Sequence, residues 1–258
     1  MLNRLPILFL FAASTSFAQM QLVNGASYFN TSFAPQSIAV AYGSKLATSS
    51  QQGGDPLPLV LAGSKVTVAG IAAPLYYVSA TQVNFVIPAG VPNGDAPVVI
   101  SSADGTTTKT TIVIADVSPA LFSANADGKG VAAGNLLRVT SKGERKYEAL
   151  AKYDGAQKLY VPADIDMGSD QLYLVVYGTG SRNAKSVQVK IGNTTITPDY
   201  AGAQGSYVGL DQINIAVPRS LGSAGNVDVI LTADGKTANT VKLRFNPSVG
   251  VPILIVGE

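Results

Sequence analysis

Two short strings carry the side chains best suited to recognition: Tyr77 with Gln82 and Asn84, and Tyr207 with Gln212 and Asn214. On an extended strand Gln82 and Asn84 share one face, as do Gln212 and Asn214. Val83, Phe85 and Ile87, or Ile213, Ile215 and Val217, take the other. Uncharged amides that both donate and accept can read the hydroxyls of a sugar or the backbone of a peptide. The same amides can instead fasten a neighbouring loop, and their recurrence in one turn context fits that role. Tyr76, Tyr77, Tyr200 and Tyr207 could supply a ring-stacking platform. A regular strand turns Tyr76 and Tyr77 to opposite faces, so only one of the two joins it and the other packs in the core.

Asp164, Asp166 and Asp170 form an oxygen-rich cluster, weakly suited to calcium, which takes six to eight oxygens. The EF-hand pattern fails, because the twelfth position counted from Asp164 is Val175 where a glutamate belongs. Turn-forming aspartates at a strand entry are the competing reading. Other chemistry is excluded by composition. With His 0, Cys 0 and Trp 0 there is no imidazole or thiolate metal site, no cysteine nucleophile, no Ser-His-Asp triad and no disulfide. Glutamate occurs only at Glu144, Glu148 and Glu258, with no spacing that pairs two carboxylates across a cleft. Gly178-Thr179-Gly180 follows a strand but no helix pattern, so it is not a phosphate loop. No cofactor and no catalysis are expected, a Ser-Lys or paired-carboxylate hydrolase remaining the outlying alternative. A net charge of +2 gives no bias toward nucleic acid.

These side chains must be positioned by strands. Residues 66–69, 98–100, 111–114, 172–177 and 227–231 are β-branched or alternating runs, punctuated by 26 glycines and 14 prolines. Asp104-Gly105, Asp154-Gly155 and Asp234-Gly235 read as two-residue turns between them. The charged stretch SKGERKYEALAKYDG reads as two strands, with Tyr147, Ala149, Ala151 and Tyr153 on one face. Tyr77, Gln82, Asn84 and Pro88 recur 130 positions later as Tyr207, Gln212, Asn214 and Pro218, the mark of a duplicated unit. The expected fold is all-β, two immunoglobulin-like sandwiches in tandem, residues 19–118 and 119–246. Before them, residues 1–18 read as a signal peptide: Arg4, an apolar run from Leu5 to Ala13, and small residues leading to Ala18. Residues 247–258 form an apolar tail or extra strand, too short to span a membrane, which needs ~20 residues.

The strings APLYYVSATQVNFVIP, SPALFSANADGKGVAAGNLLRV, VPADIDMGSDQLYLVVYGTGSR and YAGAQGSYVGLDQINIAVPRSLG resemble the Solibacter-type C-terminal domain family of secreted acidobacterial proteins. That resemblance implies sandwiches of the IPT/TIG kind and carries over no catalytic residues. The chain is expected to act outside the cell, periplasmic, cell-surface or extracellular, after cleavage near Ala18. Its expected role is a non-catalytic surface or matrix interaction module for a protein or glycan, with a carbohydrate-binding module as the alternative. Self-association through the apolar tail is a further expectation.

Overall fold

The computed structural model describes residues 20–246. The signal-peptide and tail readings lie outside them. Each run of alternating residues becomes a strand that sends one set of side chains inward. The first sandwich sets a five-stranded sheet against a four-stranded one. In spatial order the five strands are Gln21–Asn24, Ile38–Tyr42, Gln82–Val86, Leu75–Val78 and Gln51–Gln52. The four are Ile71–Ala72, Lys65–Val68, Gly94–Ser101 and Thr107–Ile114. Both sheets feed one core, from Met20 to Ile114, in which Val83, Phe85 and Ile87 are fully buried.

The second sandwich repeats the plan with larger sheets. Arg145–Ala149, Gly134–Val139, Gln171–Thr179, Asp211–Ala216 and Tyr200–Ala203 lie side by side, with Ala120–Leu121 also on Gln171–Thr179. The facing sheet orders Asp164–Asp166, Val241–Asn246, Gly225–Ala233, Val187–Ile191 and Thr194–Ile196. Its core runs from Leu121 to Phe245, with Ile213 and Ile215 fully buried. The molecule is thus all-β, two immunoglobulin-like sandwiches with separate cores. No helix among the described residues is long and apolar enough to cross a membrane.

The charged stretch does form two strands, Arg145–Ala149 and Ala151–Asp154, but they belong to different sheets. Leu150 turns between them with its side chain buried, and Ala151–Asp154 makes a separate ribbon with Leu159–Pro162. Of the three Asp-Gly pairs read as two-residue turns, only Asp234-Gly235 makes one. There φ is +47° and +78°, the doubly left-handed turn that matches strand twist. The Asp104-Gly105 connection spans Ser101 to Thr107, and the Asp154 carboxylate accepts from Ala156 N and Gln157 N to close a four-residue loop.

The sandwiches are hydrogen-bonded to one another. Ile38 N donates to Thr179 Oγ1 at 2.9 Å, and Thr179 Oγ1 donates to Gly209 O at 2.7 Å. Ser118 N donates to Gly180 O at 2.9 Å, and Lys236 Nζ to Val117 O at 3.0 Å. Gly209 has φ +85°, and a Cβ there would stand 2.8 Å from Ile38 Cγ1. Gly209→Ala is therefore expected to strain the joint by about 1–3 kcal/mol. Small-angle scattering should show a larger radius of gyration, while each core melts as before.

Candidate functional site

The joint leaves a groove of about 420 Å³ with walls from both sandwiches. Tyr76, Tyr77, Asn84 and Gln52 come from the first, and Tyr207 and Leu210 from the second. No Asp, Glu, Lys or Arg lines it. A second hollow of about 320 Å³ shares Gln52, Tyr76 and Tyr207 and extends past Asp55.

Both Tyr76 and Tyr77 reach this groove, against the expectation that one would enter the core. The reason is a bulge. Leu75 pairs with Phe85 and Tyr77 with Asn84, so Tyr76 is an extra residue on its strand. A bulge resets the alternation, and two consecutive side chains then share a side. Leu75 and Val78 on either flank are fully buried while both tyrosines are half-buried. Tyr76 donates its hydroxyl to Val208 O across the joint at 2.6 Å. Burial pushes its phenol pKa up, opposed by the nearby Arg182 charge.

Asn84 is held by its neighbour. Gln82 Nε2 donates to Asn84 Oδ1 at 2.8 Å, and Gln212 Nε2 donates to Asn214 Oδ1 at 2.9 Å in the second copy. The amides therefore brace one another along the strand rather than fastening a loop. The bond orients Asn84 so that its NH₂ makes no hydrogen bond within the described residues.

The two copies differ in what lies across from these amides. Asn84 faces Tyr77, but Asn214 faces Tyr200, not Tyr207. The connection after Tyr200–Ala203 is longer, and Tyr207 sits in it, 63% exposed, overhanging the first sandwich. The Tyr200 ring lies against Gly202 and its hydroxyl donates to Ala203 O, and neither Gln212 nor Asn214 lines the groove. Of the six candidate residues, Tyr77, Asn84 and Tyr207 are brought together, Gln82 supports them, and Gln212 and Asn214 stand apart.

A buried ion pair fixes the overhanging loop. Asp211 is fully buried and accepts from Ser181 N at 2.7 Å, Ser181 Oγ at 3.0 Å, Arg182 N at 3.1 Å and Arg182 Nε at 2.7 Å. Arg182 Nη2 also donates to Leu210 O at 2.8 Å. Sequence reasoning missed this pair. Its signal was an aspartate in VGLDQIN where the first copy, VSATQVN, has Thr81. Within Gly178-Thr179-Gly180, which is not a phosphate loop by sequence, Thr179 holds the same loop through Gly209 O, while Gly180 packs closely on Ser118.

Asp164, Asp166 and Asp170 do not assemble a calcium site. The guanidinium of Arg244 beside Asp164 holds its carboxyl below the usual range, with Lys152 adding to it. Asp166 Oδ1 accepts from Gly168 N, and Asp170 stands 3.7 Å from Arg138 Nη1. Each carboxylate already has a different partner, and no group of three potential ligands gathers among the described residues.

No family model and no curated protein matches the chain. Solved structures do, at low similarity. One is SGBP-B of the Bacteroides ovatus mixed-linkage glucan utilization locus, in complex with a mixed-linkage heptasaccharide. It is 15% identical, with a TM-score of 0.35 over 86% of this chain and 45% of that one. A tandem of titin immunoglobulin domains is 12% identical, TM-score 0.21, over 87% and 94%. An auxiliary nutrient binding protein from Bacteroides ovatus is 11% identical, TM-score 0.21, over 82% and 67%. The chain spans less than half the length of the first of these, and the likeness concerns the fold alone.

Proposed function

We propose that the protein is a secreted, non-catalytic module that binds a glycan in the groove between its sandwiches, and that it belongs to the Solibacter-type C-terminal domain family its strings resemble. One observation carries the binding reading: Tyr76 and Tyr77 side by side on a bulged strand, faced by Tyr207 and edged by Asn84 and Gln52. Tyrosine rings offer flat apolar faces to the C–H faces of a sugar, and uncharged amides offer partners to its hydroxyls. The Asn84 NH₂, without an acceptor among the described residues, is available to an oxygen of the ligand.

The test is a glycan array followed by calorimetry on the strongest binder. Tyr77→Ala and Tyr207→Ala should each weaken binding about tenfold or more, equivalent to about 1.4 kcal/mol. Tyr200→Ala, outside the groove, should leave it unchanged. Absence of binding to any glycan removes the reading. Binding to proline-rich peptides instead, which also dock on tyrosine grooves, replaces it with peptide recognition.

A further inference from the structure

The second sandwich has an open sheet edge formed by one stretch, residues 145–154. Its first half, Arg145–Ala149, is outermost in the six-stranded sheet, and its second half, Ala151–Asp154, belongs to the ribbon. The chain bends at Leu150, and the hydrogen-bond phase is the same on either side of the bend. Thr140 N donates to Glu144 O and Ala163 N to Leu150 O, so the even-numbered residues bond inward throughout. Tyr147, Ala149, Ala151 and Tyr153 therefore turn their N–H and C=O groups outward, where no strand among the described residues pairs with them. The ribbon's opposite edge is closed: the Asn125 side chain accepts from Tyr160 N and donates to Tyr160 O, each at 2.8 Å.

We propose that this edge pairs, antiparallel, with the same edge of a second copy about a two-fold axis at Leu150. The stretch KYEALAKYD, residues 146–154, is self-complementary in that register. Glu148 falls opposite Lys152 of the second copy, Lys146 opposite Asp154, and Ala149 opposite Ala151. Tyr147 and Tyr153, 65% and 60% exposed, also face each other, beside Tyr160, which already packs edge-on to Tyr153 at 5.5 Å. Cross-strand pairs of opposite charge and of aromatics stabilise a sheet, and like charges oppose it. A shift of two residues one way sets Lys146 against Lys152, and the other way Glu148 against Asp154. A shift of one turns the outward groups of one copy away from the other. Edge lysines ordinarily discourage pairing; Lys146 and Lys152 already lie beside Glu148 and Asp164 of their own copy, at 3.3 Å and 3.5 Å, and of these registers only the proposed one sets them opposite acids of the other copy. An isologous contact of this kind closes on itself and stops at the dimer.

The contact is small, so its dissociation constant is expected on the order of 100 µM. Sedimentation equilibrium of the full chain, up to about 1 mM, should show monomer and dimer in exchange. Ala149→Pro removes an outward N–H that the fold does not use, and should weaken association about tenfold or more with an unchanged circular dichroism spectrum. Lys152→Glu should do the same by placing acids opposite one another. The chain has no cysteine, which gives a clean reading of register. Ala149→Cys and Ala151→Cys proteins should form a disulfide when mixed and oxidised, and neither should do so alone. A monomer at every concentration, or association that survives both Ala149→Pro and Lys152→Glu, overturns the proposal. A disulfide formed equally well by either single variant overturns the register.

Discussion

Asp211→Ala is expected to destabilise the second sandwich by about 3–5 kcal/mol, seen as a fall in melting temperature of about 10 °C or more. The carboxylate is fully buried and collects four hydrogen bonds from Ser181 and Arg182. Its loss leaves Arg182, whose side chain is only 11% exposed, as a buried charge without its counter-ion. The comparison that isolates burial is Asp228→Ala. The Lys242–Asp228 pair has the same 2.7 Å separation as Arg182–Asp211, but its side chains are 56% and 53% exposed. Solvent screens such a pair, and its removal should cost less than about 1 kcal/mol. Thermal denaturation of the two variants in parallel decides the matter: equal melting temperatures would show that the buried pair contributes no more than the exposed one. Because Arg182 also holds Leu210 O, Asp211→Ala should weaken the proposed glycan binding by releasing the loop that carries Tyr207.

Phe85→Ala should cost the first sandwich about 3–5 kcal/mol by urea denaturation. Phe85 is fully buried, the fourth of the five residues of its strand, between Ala39 on one side and Leu75 on the other. Truncation removes apolar area from the core and leaves a cavity that two hydrogen-bonded sheets cannot collapse to fill. Phe29→Ala is the control, since that ring is 55% exposed and its loss should shift stability by about 0.5 kcal/mol or less. A Phe85→Ala effect as small as that would mean the sheets repack around the gap.

The strands and the duplication were legible because they rest on periodicity. Val83-Phe85-Ile87 and Ile213-Ile215-Val217 announce a buried face, and the structure buries them all. The site was legible only in part. Alternation read literally separates Tyr76 from Tyr77, since a bulge is set by pairing with Asn84 and Phe85 on another strand and leaves no local mark. The constant spacing of 130 aligned Tyr77 with Tyr207, whereas cross-strand pairing aligns it with Tyr200. Seven positions separate Tyr77 from Asn84 and fourteen separate Tyr200 from Asn214, so the longer connection shifts the equivalence without disturbing Gln212 or Asn214. The aspartates of residues 164–170 suggested a metal because sequence shows the acids together but not Arg244, Lys152 and Arg138, which arrive from other strands.

The longer connection of the second copy gives the duplication a direction. A tyrosine grown on one repeat completes a pocket whose floor belongs to the other, so the halves are no longer interchangeable. Either sandwich alone would lack the groove, since its walls come from both.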